Sequence, residues 1–271
     1  MAIPKIIYQT YINNKLPIIT RIFIWWMKRQ NSDYRYEFYD DARIEKFLKK
    51  DFPPKVFQAY KKLAIGAAKA DFFRYAVLYK RGGVYVDIDG AILRPLSEII
   101  RPDDVAILSR EVHPGLFVQW ALIYDKGHPF MERTLQRCID NINENRSPHS
   151  VLYMTGPNVY SEVINEALAA QEKIPHRIFG VDFERRKKQV IIPKHFLNYL
   201  LYLKRPSWDK VQKTMTVLKQ HKGSNMIGKS CPREKVYGYL PLNATKFWNF
   251  TSKKISQLFF FKNLALKWRK L

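Results

Sequence analysis

Cysteine is scarce in this chain, and long apolar runs are absent. Its 271 residues include two cysteines, Cys138 and Cys231, with no CxxC pair and no Cys/His spacing of a zinc site. A disulfide framework is thereby excluded, and a reducing compartment suits the chain. The longest apolar stretch near the N-terminus, Ile22 to Met27, is far too short to span a bilayer, and no basic start leads into a long apolar block. The sequence therefore predicts neither a signal peptide nor a membrane anchor, and it predicts a cytoplasmic location. Without export, Asn243-Ala-Thr and Asn249-Phe-Thr read as chance matches to the glycosylation sequon.

Acidic residues are also few: 24 Asp and Glu face 47 Lys and Arg, for a formal net charge of +23. That balance predicts attraction to polyanions, whether nucleic acid, an anionic bilayer or phosphorylated substrates. Disorder is excluded by a composition that is 46% hydrophobic and 14% aromatic. The length suits one domain with a small appendage.

That appendage is the segment from Pro241, which has seven Lys or Arg and no acid. Apolar residues at 255, 258, 259, 261, 264, 266, 268 and 271 make a broad helical face beside basic flanks. We expect a catalytic domain over 1–240 and a basic aromatic tail over 241–271. The tail is read as touching an anionic membrane surface, peripheral on its inner face; a helix packed on the domain is the other reading.

Along the rest of the chain, strand and helix patterns alternate. "PKIIYQT" reads as a buried strand, followed by a helix in "IITRIFIWWMKRQ" and a strand ending at Tyr39. Helices follow in "DARIEKFLKKDF", capped by Asp40 or Asp41, in "PPKVFQAYKKL", and in "AIGAAKADFFRYAVLYKRGG", which ends at Gly82-Gly83. Then come strands in "VYVDID", "DVAIL" and "LFVQWALIY", a helix near "HPFMERTLQRCIDNI", and another with Thr155 as N-cap. The alternation predicts an α/β fold, a mixed sheet flanked by helices.

Within "RGGVYVDIDG", Asp87 and Asp89 stand two apart at the end of an apolar run. On an extended segment such residues point to one side, so both carboxylates could meet one hard cation, Mg²⁺ or Mn²⁺, at the end of a strand. Open sheets bind ligands at that edge, and such a cation keeps positions for water and phosphates. An Asp-Gly pair can instead simply close a turn. In the preceding helix, Asp71 and Arg74 share a face. They are either a surface ion pair or a site in which Asp71 accepts from sugar hydroxyls and Arg74 donates to an anionic or hydroxylated ligand.

"IPKIIYQT", "AKADFFRYAVLYKRGGVYVDIDG" and "RPLSEI" together resemble the DxD-containing sugar-transferase family, which includes the yeast initiating mannosyltransferase, inositolphosphoceramide mannosyltransferases and bacterial capsule enzymes. The resemblance covers about residues 3–110 and is weaker beyond. It implies a glycosyltransferase type A fold and a retaining hexosyl transfer from a UDP- or GDP-linked donor to a saccharide or lipid-linked acceptor, with Mn²⁺ or Mg²⁺ as cofactor. By position it gives Asp87 and Asp89 to the metal and donor, and Asp71 and Arg74 to the donor sugar; Asp71, Arg74 and Asp89 are the catalytic assignments. Tyr8, Gln9, Thr10 and Gly83 fall on the donor side. His221 resembles a late metal-ligating His, with Gly223 and Ser224 in a phosphate-side loop; a solvent-exposed loop histidine is the other reading, since Gln220, Lys222 and Asn225 depart from the family pattern. Lys222 and Lys229 are helpers toward the leaving phosphate. Trp120, Thr155 and Gly156 are acceptor-side candidates, against a core indole and a helix cap.

Two rivals come from other classes. "VYVDIDGAIL" also resembles the Asp-x-Asp-Gly-Thr signature of haloacid-dehalogenase-type phosphatases, with Asp87 as nucleophile, but Ala91 lacks the hydroxyl and Asp103-Asp104 lies too close for the second acidic pair. A polyanion-binding protein would explain the charge, yet the cations are spread along the chain and no nucleic acid partner is expected.

Overall fold

The computed structural model describes residues 3–185, 188–189, 191–192 and 216–219. All of them lie in the first of the chain's two units, Met1–Lys222. The expected boundary at 240/241, the tail, His221, Lys222, Gly223, Ser224 and Lys229 lie outside the described residues.

The chain runs β1 (Ile6–Thr10), α1 (Ile18–Gln30), β2 (Arg35–Tyr39), α2 (Asp41–Asp51), α3 (Pro54–Lys62), α4 (Gly66–Arg81), β3 (Gly83–Val86) and β4 (Ala91–Ile92). It continues with β5 (Ala106–Arg110), β6 (Ala121–Tyr124), α5 (Pro129–Glu144), α6 (Val151–Met154), α7 (Pro157–Ala169), β7 (Arg177–Val181) and the short β8 (Glu184–Arg185), β9 (Lys188–Gln189) and β10 (Ile191–Ile192). Asp40 caps α2, its carboxylate accepting from the Arg43 amide, and prolines open α3, α5 and α7, where a missing N–H costs nothing.

Six strands form one sheet in the order β2-β1-β3-β6-β5-β7. β1 pairs in parallel with β2 and β3, β6 is antiparallel to β3 and β5, and β5 is parallel to β7. The sheet is therefore mixed, and the C-terminal ends of β1, β2, β3, β5 and β7 share one edge.

Both faces are covered, so the strands alternate between two cores rather than between core and water. Tyr8, Tyr85, Leu108 and Leu122 point into a large core with α2 to α7. Ile7, Val84, Val86, Ile107 and Ile123 point into a smaller one with Met27 of α1, Ile92, Phe183 and Ile191. α4 lies between the sheet and α5, and its residues from Asp71 to Leu78 are all buried.

Two elements are shorter than their sequence patterns. The apolar run at 116–124 forms a strand only over Ala121–Tyr124, and the run at 84–89 stops pairing at Val86. Thr155 does not cap α7: that helix begins from Gly156, while Thr155 ends α6.

Candidate active site

Beyond Val86 the chain turns. The Gly90 amide donates to the Asp87 carbonyl at 2.8 Å, so Asp87 to Gly90 is a hydrogen-bonded β-turn at the C-terminal edge of the sheet. The same-side argument for an extended DxD therefore does not hold, because the pleat has ended. The Asp87 side chain keeps 14% of its surface exposed, whereas Asp89 is buried at 3%. Neighbouring chain fixes the turn from outside. The Asp87 amide donates to the Trp120 carbonyl at 2.8 Å, and Gln9 Nε2 donates to the Asp87 carbonyl at 3.1 Å. Tyr36 in turn donates to Gln9 Oε1.

Asp71 and Arg74 are not a surface pair. Both are buried on α4, and burial of an unpaired charge would cost several kcal/mol, on the order of 3–5. Their partners explain how α4 tolerates them. Arg74 Nη2 reaches Asp87 Oδ1 at 2.7 Å and Asp71 Oδ1 at 3.1 Å, while Nη1 donates to the side-chain and main-chain oxygens of Gln119. Gln119 Nε2 donates to Asp71 Oδ1 at 2.9 Å and to the Tyr75 hydroxyl at 2.8 Å. Thr155 Oγ1 donates to Asp71 Oδ2, and Tyr85 donates to Asp87 Oδ1 at 2.8 Å. α4, β3, the segment before β6 and the end of α6 thus converge on one polar network.

Electrostatics hold the Arg74 charge in place. Burial acts to lower the Arg74 pKa, but the Asp87 and Asp71 carboxylates outweigh it and the pKa rises, so the guanidinium stays charged. Burial lifts both Tyr75 and Tyr85 well above the usual phenol range, which keeps their hydroxyls neutral. The carboxylate oxygens of Asp87 and Asp89 are hard donors of the kind Mn²⁺ or Mg²⁺ takes, and these two residues would hold such a cation. Among the described residues no three His, Cys, Asp or Glu side chains cluster to close a metal site, so water and ligand phosphates would complete the shell.

The other predicted residues separate. Gln9 touches the DxD turn, but Tyr8 sits in the larger core against Tyr39, and Thr10 Oγ1 donates to the Tyr39 carbonyl. Gly83 begins β3, at the opposite end from Asp87. It has φ +114°, and a Cβ there would lie 2.7 Å from the Ile6 carbonyl, so it is a packing glycine. Gly156 is another, since its Cβ would meet Leu152 Cα at 2.8 Å. Trp120 is half-buried against Phe183 and bears on the turn through its carbonyl. Thr155 is wholly buried and serves Asp71. Gln119, Tyr75 and Tyr85 were missed by the motif reading; the signal available was one amide inside the otherwise apolar and aromatic run "LFVQWALIY".

The Asp103-Asp104 pair does not reach this edge. Asp104 precedes β5, at the other end of the sheet, and is tied to Arg177 at 2.7 Å and to the Arg101 amide.

Residues 22–106 match the family described as the glycosyltransferase sugar-binding region containing DXD motif. The chain carries that DXD region. The chain is 30% identical over 163 residues to inositol phosphoceramide mannosyltransferase 3 of Schizosaccharomyces pombe, covering 58% of this chain and 43% of that protein. It is 27% identical over 197 residues to the initiation-specific alpha-1,6-mannosyltransferase of the same organism, covering 61% of this chain and 49% of the relative. An uncharacterized glycosyltransferase, L373 of Acanthamoeba polyphaga mimivirus, is 37% identical over 100 residues, covering 36% and 40%. The chain thus spans less than half the length of each of these relatives. Among solved structures, the PaToxG glycosyltransferase superposes with a TM-score of 0.53 at 21% identity, over 63% of this chain and 72% of that one. The fold is glycosyltransferase type A.

Proposed function

We propose that this chain is a retaining, metal-dependent glycosyltransferase that moves a hexose from a UDP- or GDP-linked donor to a saccharide or lipid-linked acceptor. The observation that carries this reading is the bond from Arg74, inside a buried helix, to the first carboxylate of the DxD turn. Mannose is the first sugar to try, because two of the relatives above are named mannosyltransferases.

In this reading Asp87 and Asp89 hold Mn²⁺ or Mg²⁺. The cation supplies Lewis-acid stabilisation of the departing nucleoside diphosphate. Arg74 and Tyr85 fix the Asp87 carboxylate; Gln119 and Thr155 fix Asp71, so that Asp71 and Arg74 present one polar wall to the donor sugar. His221, Gly223 and Ser224 are proposed for the diphosphate side, with Lys222 or Lys229. The acceptor hydroxyl attacks from the leaving group's face, and its proton passes to the departing phosphate. The product is a surface polysaccharide or glycolipid, made at the inner face of a membrane that the 241–271 tail touches.

Isothermal calorimetry of UDP and GDP, each with and without Mn²⁺, tests the reading. One nucleotide should bind in a metal-dependent way, and Asp87→Ala/Asp89→Ala should abolish it. Absence of binding to folded wild-type protein would reject the donor site.

A further inference from the structure

α1 is apolar on the wrong side. At about 100° per residue, Ile18, Ile22, Trp25 and Arg29 fall within one stripe, roughly opposite the buried Thr20 and Met27. The outer stripe is open: Ile18 is 64% exposed, Ile22 50% and Trp25 49%, and Ile12 in the preceding loop is 55% exposed. A surface helix ordinarily turns polar groups to water. Here an apolar stripe remains outside although the inner face already has its core.

The charge carried by α1 and by the chain before it has one sign. The first 32 residues contain no Asp or Glu. Lys15, Arg21, Lys28 and Arg29 are all exposed, and the Arg29 guanidinium stands 5.7 Å from the Trp25 ring. Exposed isoleucine and tryptophan flanked by Lys and Arg are what an interfacial helix presents, the rings entering the headgroup layer while the cations meet lipid phosphates. A protein partner would have to offer an acidic rim around an apolar groove; an anionic bilayer offers both without further design.

We propose that the outer face of α1, with Ile12 ahead of it, docks on an anionic lipid bilayer. The assignment does not depend on the transferase reading, since it uses none of the site residues. It uses no residue of the tail either. α1 follows β1, whose C-terminal end contributes Gln9 to the DxD turn, so the helix sets out from the site edge of the sheet.

The test uses the full chain with vesicles containing phosphatidylglycerol or phosphatidylcholine alone, and with vesicles carrying brominated acyl chains. Wild type should partition onto the anionic vesicles only, and added salt should weaken it. Ile18→Glu/Ile22→Glu/Trp25→Glu should lower partitioning by about tenfold or more, with an unchanged melting profile. Trp25→Phe, which preserves the face, should keep partitioning but lose a part of the bromolipid quenching. The proposal is overturned by triple-variant partitioning within about twofold of wild type or by quenching unchanged in Trp25→Phe. It is equally overturned if wild type ignores the vesicles and instead forms a dimer that the triple variant splits.

Discussion

Gln119 holds the site together without carrying a charge. It accepts from Arg74 and donates to Asp71 and Tyr75, so truncation would strip partners from two buried ions at once. Gln119→Ala should destabilise the fold by about 1–3 kcal/mol in urea unfolding. It should also weaken metal-dependent nucleotide binding in the fraction that remains folded. Gln119→Glu should be worse, since a carboxylate cannot donate to Asp71 and repels it. At this scale the sequence displayed the charged members, because the DxD pair and the Asp71/Arg74 spacing are local patterns. Gln119 lies 48 positions from Asp71, and a bond across that distance leaves no periodicity to read.

At the scale of elements, the passage from α4 into β3 depends on two glycines. Gly82 takes φ +64°, and Gly83 takes φ +114° where an added Cβ would lie 2.7 Å from the Ile6 carbonyl oxygen. L side chains rarely adopt such backbone, and here none fits. Gly83→Ala should lower stability by roughly 1–3 kcal/mol while the protein that does fold keeps wild-type nucleotide affinity, measured by thermal melting and calorimetry on the same sample. A loss of affinity with normal stability would return Gly83 to the donor side. The helices were legible because caps, prolines and the Gly-Gly stop are local chemistry. The strand ends were not. β3 stops where Trp120 and Gln9 take over the main-chain bonds of Asp87, and those are tertiary partners.

For the whole molecule, the alternation of elements indicated helices around a sheet, but the strand order and the antiparallel β6 at its centre follow from long-range pairing. The same pairing brings Glu111, just past β5, to the edge that carries the DxD turn. Burial, reinforced by Asp182, pushes Glu111 from 4.5 up to about 7. The folded state thus holds a proton that the unfolded chain has released, so this group's contribution to stability is full below pH 4.5 and is lost as pH rises toward 7. Glu111→Gln should remove that slope and raise the melting temperature above pH 7. The difference between the two pH profiles isolates the group from the rest of the +23 chain. Asp87 is moored to Trp120 through its amide, to Gln9 and Gly90 through its carbonyl, and to Arg74 and Tyr85 through its carboxylate. Such a mount admits no gradual drift. Under the proposed transfer reaction, new sugar or acceptor preferences would have to arise in the loops around it, which makes those loops the segments to randomise when re-engineering the chain and this turn the one to leave intact.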